Sequence, residues 1–245
     1  MPYRRLPNTD VARLKAMETA DKKGSELPPF KLAFTQKTYN RVKLFLPKFK
    51  KAMLQYRLAY SNQVGKNKDY LHDLHKARMY VSHFIQVLNM AVSRGELPAA
   101  IRIYYNLKEN DKCIPSLNSE EDVIQWGKSI IEGETQRINK GMSPVTNPTI
   151  AMVKVKYEKF MESYRHQKML QKTHFRNQHE LVELRKEADD IILNIWNEVE
   201  VTYKDLTDQE RRAKCEKYGL HYVFRKNELK GISIKETVNE NSDLE

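Results

Sequence analysis

Between Tyr39 and Ala91 the chain reads YNRVKLFLPKFKKAMLQYRLAYSNQVGKNKDYLHDLHKARMYVSHFIQVLNMA, and the spacing of its apolar residues decides the fold. Tyr39, Leu46, Met53, Tyr60, Leu74, Val81 and Leu88 make one row at heptad spacing, with a gap at Asn67. Val42, Phe49, Tyr56, Tyr70, Ala77, Phe84 and Ala91 make a second row, with a gap at Gln63. Two such rows place a narrow apolar seam along one side of an α-helix, the pattern of helices packed side by side. The expectation is an all-α chain.

Working outward, Thr35 is placed to cap a helix running to about Val64, with Pro47 inside it as a kink rather than an end, because the seam keeps its phase on both sides. Ser61 to Asp69 is polar, contains Gly65, and has no apolar residue at either seam position, which predicts a turn. A second helix then covers about Lys68 to Arg94 and stops at Gly95. The unbroken heptad phase leaves a competing reading open, one helix through the whole stretch. From Thr149 to Lys204 there is neither Gly nor Pro, and the seam returns as Ile150, Val153, Tyr157, Phe160 and Tyr164, then Leu181, Leu184, Ala188, Ile192, Ile195 and Val199. Shifted by 111 residues the two stretches match in hydrophobic register, Val42 on Val153, Phe49 on Phe160 and Ala77 on Ala188, which suggests a duplicated hairpin with its second turn at Gln171 to Glu180.

The resulting architecture is an up-and-down four-helix bundle built from two similar long helical hairpins, with short accessory helices. Residues 1–34 form an N-terminal arm and a short helix. It is capped by Asn8 or Thr9, carries Val11, Leu14, Met17 and Ala20 on its apolar side, and ends at Gly24. Residues 35–225 form the bundle, made of hairpin 35–94, connecting helices 95–146, hairpin 147–204 and a short helix 207–218. Pro98 starts a short helix through Tyr105, Ser119 with Asp122 reads as a capping box, Asn147-Pro148 offers an N-cap and first-turn proline, and Thr207 with Glu210 reads as a second box. Gly127 and Gly133 weaken the helix after Ser119 unless packing supports it. Leu220 to Phe224 is β-prone, and 226–245 has the composition of a flexible tail.

The formal charge of +11 is concentrated, since residues 36–94 carry twelve Lys and Arg against Asp69 and Asp73. Lys37, Arg41, Lys43, Lys48, Lys50, Lys51 and Arg57 lie off the seam of the first helix, and Lys66, Lys68, Lys76 and Arg78 follow from the turn and second helix. A helix face with so few acids among its bases predicts an anionic partner, either nucleic acid bound without sequence preference or an acidic protein surface. The rival reading is a protein-interaction scaffold with an exposed apolar patch around Tyr222 and Phe224. A ferritin-like metal enzyme is disfavoured, because no Asp or Glu occupies a main seam position and Glu-x-x-His is absent. His72 and His75 lie outside the seam and read as a surface pair, and His174 as a residue packed near a turn. Neither a phosphate loop nor a Gly-x-Ser-x-Gly elbow occurs, and Cys113 and Cys215 are isolated, so no cofactor, metal or catalytic residue is indicated. The seam tyrosines read as gap-filling rings rather than a base-stacking row. Apolar core rows without inward-pointing ionisable groups predict a protein that is not an enzyme, and the absence of a long apolar run or an apolar leader predicts a cytoplasmic one that does not enter a membrane.

Met1-Pro2-Tyr3-Arg4-Arg5-Leu6-Pro7-Asn8-Thr9-Asp10, Ser82-His83-Phe84-Ile85-Gln86-Val87-Leu88-Asn89-Met90-Ala91 and Asn194-Ile195-Trp196-Asn197-Glu198-Val199-Glu200 together resemble a family of uncharacterised all-helical proteins associated with Bacteroidetes bacteria. The resemblance spans nearly the whole chain and implies a bacterial cytoplasmic setting. It brings no activity, cofactor or catalytic residues with it.

Overall fold

The computed structural model describes residues 3–110 and 113–223. The chain is all-α, dominated by two long helices with short accessory helices. In chain order these are α1 (Asp10–Glu26), α2 (Gln36–Ser93), α3 (Glu120–Asn139), α4 (Ile150–Thr202) and α5 (Asp208–Glu216), with 3-10 turns at Pro29–Lys31 and Ala99–Tyr105 and two short strands. The turns foreseen at 61–69 and 171–180 do not form, so each expected hairpin is one continuous helix. The physical reason is that nothing in either stretch forbids helix: Gly65 costs only about 1 kcal/mol relative to alanine, and Lys, Asn and Gln are ordinary on a solvent-facing helix surface. Polarity here marks exposure, and Ser61, Asn62, Lys66, Asn67 and Lys68 are all exposed within α2.

The chain divides into two compact units, Met1–Leu58 with Arg176–Glu245, and Ala59–Phe175. In the first, the opening part of α2 runs antiparallel to the closing part of α4: Thr38 Oγ1 donates to Glu198 (2.6 Å), Arg41 pairs with Asp190 (2.8 Å), and Asn177 donates to the Gln55 carbonyl (3.3 Å). Val42, Phe45, Leu46, Phe49, Ala52 and Met53 meet Leu181, Leu184, Ala188, Ile192, Ile195 and Val199 in one core, which α1 closes with Ala16, Met17 and Ala20. Two bidentate pairs fix α1 on α4, Arg13 on Asp189 (2.7 and 3.0 Å) and Arg185 on Asp10 (both 2.7 Å). Thr9 caps α1 as foreseen, but the helix passes through Gly24, whose missing side chain makes room for the Tyr39 ring. Val11 stands out to solvent rather than in the apolar stripe. Tyr3–Arg4 pairs antiparallel with Tyr222–Val223, the extended segment foreseen at 220–224, while Phe224 and the tail 226–245 lie outside the described residues.

In the second unit, the remainder of α2 runs antiparallel to the opening part of α4. Gln167 Nε2 donates to Asn67 Oδ1 (3.3 Å), and Lys159 pairs with Asp73 (3.3 Å). The core joins Tyr70, Leu74, Ala77, Val81, Phe84 and Leu88 to Val153 and Phe160, and to Ile101, Tyr105, Val123 and Ile130 from the connecting segment. The Ser119–Asp122 capping box opens α3 as foreseen, and Gly95, at φ 76°, follows the end of α2. Helix α4 takes its cap from Thr149, whose carbonyl accepts from Val153 N (3.2 Å), rather than from Asn147. The two α3 glycines have a packing role. A Cβ on Gly127 would lie 2.4 Å from the Tyr157 ring, and one on Gly133 2.3 Å from the Tyr104 carbonyl oxygen.

Candidate anionic-partner interface

Each turn of α2 in the first unit has a core side and an outer side. The core takes Val42, Phe45, Leu46, Phe49, Ala52 and Met53, so residues at 37, 40, 44, 47, 51, 54 and 58 are carried to the opposite side by the 3.6-residue period. That outer side is itself a heptad seam. Lys37, Leu44, Lys51 and Leu58 fill one position of the repeat (a), and Asn40, Pro47 and Leu54 fill the other (d), all exposed. Leu44 is 81 % exposed, Leu54 58 % and Leu58 54 %, values that set them apart from a core-facing leucine such as Leu46 at 6 %. The positions flanking the seam carry bases and no acid: Arg41 and Lys48 with Gln55 on one border (e), Lys43, Lys50 and Arg57 with Gln36 on the other (g).

The structure thus gathers seven of the expected site residues, Lys37, Arg41, Lys43, Lys48, Lys50, Lys51 and Arg57, onto one exposed face of one helix. Two of these cations are answered within the chain, Arg41 by Asp190 (2.8 Å) and Lys50 by Glu18 (2.7 Å). Such solvent-exposed pairs are worth about 0–1 kcal/mol and are readily exchanged for another carboxylate. Among the described residues, Lys37, Lys43, Lys48, Lys51 and Arg57 have no carboxylate partner. The other four expected residues belong to the second unit. Lys66 pairs with Asp69 (3.5 Å), Arg78 donates to the Asn118 carbonyl (2.9 Å), Lys68 is exposed, and Lys76 is half-buried. The two acids of this segment do not both serve its cations: Asp73 is buried, pairs with Lys159, and accepts from Ser163 (2.6 Å).

The exposed leucines are what the sequence reading missed. They fall between the core rows, and a second heptad phase read at 44, 47, 51, 54 and 58 would have found them. A buried charged cluster in α3 was missed as well. Val123, Gly127, Ile130, Glu134 and Arg137 share one side of the helix at steps of four and three, and all five are buried. Arg137 Nε and Nη2 donate to Glu134 (2.8 and 3.0 Å), Tyr105 OH donates to the same carboxylate, and Val145 N adds a fourth hydrogen bond (2.7 Å). Burial pushes the Glu134 carboxyl up, but the bonds from Arg137, Tyr105 and Val145 outweigh it and hold it below its ordinary value. Its acceptor capacity goes to groups of the fold, so the cluster ties the Ala99–Tyr105 turn and the loop after α3 to the helix.

A polar groove of about 380 Å³ in the second unit is lined by Tyr70, His72, Asp73, Lys159, Glu162 and His166 among others. Burial, followed by the bond to Glu120, raises the Tyr70 hydroxyl pKa well above the ordinary phenol range. His72 and His75 are exposed, and the half-buried His174 ring lies 5.6 Å from Tyr60. Among the described residues, no three His, Cys, Asp or Glu side chains are grouped to hold a metal ion, and no helix is long and apolar enough to cross a membrane. Compared with known proteins, the chain matches no family model, no curated protein and no solved structure.

Proposed function

We propose that the chain is a non-enzymatic binding protein that holds an anionic macromolecule against the outer face of α2 between Lys37 and Leu58, working in the bacterial cytoplasm that the family resemblance implies. The observation that carries this is the set of seven cations on one exposed helix face, of which, among the described residues, Arg41 and Lys50 alone have a carboxylate partner. Lys66, Lys68, Lys76 and Arg78 belong to the second unit and are no part of this face. Between an acidic protein and nucleic acid, the exposed Leu44, Leu54 and Leu58 favour the protein, because phosphate contacts gain nothing from leucines and a protein partner buries them. Sequence-independent nucleic-acid binding is the second reading, favoured by Lys37, Lys43, Lys48, Lys51 and Arg57 having no carboxylate partner among the described residues.

The test is capture of partners from the native cytoplasm by the unaltered chain and by a Lys48→Glu, Lys51→Glu, Arg57→Glu variant, with and without nuclease. The proposal expects partners that the variant loses while its helical circular dichroism is kept. Partners that persist through nuclease place the ligand among proteins, and partners that vanish place it among nucleic acids. Equal capture by the variant would overturn the proposal.

A further inference from the structure

Resting on that reading, we propose that the partner's docking segment is an acidic amphipathic α-helix, which packs along the outer seam of α2 as a short two-stranded coiled coil. Three properties of the face point to a helix rather than to a strand, a flat surface or a nucleic-acid backbone. Its three exposed leucines all fall on seam positions, Leu44 and Leu58 two heptads apart at a and Leu54 at d, where side chains serve as knobs for the holes of another helix. The charged positions that choose a coiled-coil partner are all of one sign, with Arg41 and Lys48 at e and Lys43, Lys50 and Arg57 at g, Gln55 and Gln36 being the neutral members of those rows, so the complementary helix carries Glu or Asp at its own e and g. Lys37 and Lys51 lie in the seam, where a charged a residue costs stability and fixes register, so the partner presents a carboxylate opposite each.

The same charges argue against self-association through this face. A second copy would bring e and g cations against e and g cations, a like-charge arrangement that disfavours the pairing. From Lys37 to Leu58 the face offers about three heptads, so the complex is of modest affinity and depends on both leucines and charges.

The experiment uses the full chain and two fluorescent peptides of about 21 residues, or three heptads. The first has leucine at a and d, glutamate at e and g, and glutamate at the two seam positions facing Lys37 and Lys51; the second is a scrambled sequence of identical composition. Anisotropy should show the patterned peptide binding at least about tenfold more tightly than the scrambled one, a difference of about 1.4 kcal/mol. Leu44→Ser, Leu54→Ser and Leu58→Ser combined should weaken it by about tenfold or more at unchanged helicity, since substitutions at exposed positions change stability little. Equal binding of both peptides, or binding indifferent to the three serines, overturns the helix inference while leaving a charge-based partner in place. If neither peptide binds but single-stranded RNA does, with loss on reversing Lys48, Lys51 and Arg57, the helix inference falls in favour of nucleic acid. If peptides and RNA are all bound equally by that charge-reversed variant, the broader reading falls as well.

Discussion

At Gly133 a single hydrogen stands where any other side chain would meet backbone, since a Cβ there would lie 2.3 Å from the Tyr104 carbonyl oxygen. Backbone cannot swing aside as a side-chain tip can, so Gly133→Ala should lower stability by about 1–3 kcal/mol in urea melts, against the usual gain of alanine within a helix. One residue further, Glu134 and Arg137 are both fully buried and each depends on the other. Arg137→Met leaves the carboxylate without its cation and should cost about 3–5 kcal/mol. The pH dependence follows from the direction of the shift. Because Glu134 is held below its ordinary value of 4.5, it binds fewer protons folded than unfolded, so its contribution is present above about pH 4.5 and is lost as pH falls through the depressed value. Melts between pH 6 and pH 3 should show that loss, and Arg137→Met should shrink it. The cluster escaped the sequence reading because charged residues at core-facing positions look like surface, although their steps of four and three from Val123 and Ile130 mark the same side of the helix.

Among the elements, α2 separates what composition shows from what it hides. Its core rows were plain in the sequence, and every residue in them is buried except the half-buried Tyr39 and Tyr56 and the exposed Tyr60. The capping box at Ser119 and the stop at Gly95 were equally plain, because a cap is a local hydrogen-bonding requirement written in two or three residues. The continuity through residues 61–69 was not, since an exposed helical turn and a loop use the same polar residues and only the heptad phase tells them apart. Gly65 tests the point. It sits inside α2 with open space around any Cβ, so Gly65→Ala should stabilise the protein by about 1 kcal/mol and Gly65→Pro should destabilise it by about 3 kcal/mol or more. In a turn, alanine would bring no such gain and proline would be tolerated. Thermal melts of the two variants decide between the structures.

For the molecule as a whole, charge and fold have separate tasks. The core of each unit is built from seam residues, while the charge excess of residues 36–94 lies mostly on surfaces that take no part in those cores. Lys48, Lys51 and Arg57 are all exposed, so reversing them should leave the melting temperature nearly unchanged while removing binding. The cations of this site were legible in the sequence because net charge survives any folding. Their grouping with Leu44, Leu54 and Leu58 was not, because it needed knowledge of which side of α2 the core takes. The measurement that tests the proposed binding face most directly is lysine acetylation with and without bound partner, read residue by residue by mass spectrometry. Protection of Lys37, Lys43, Lys48 and Lys51 on binding is the expected result, and a bound complex in which these four lysines react as fast as in the free chain would contradict it.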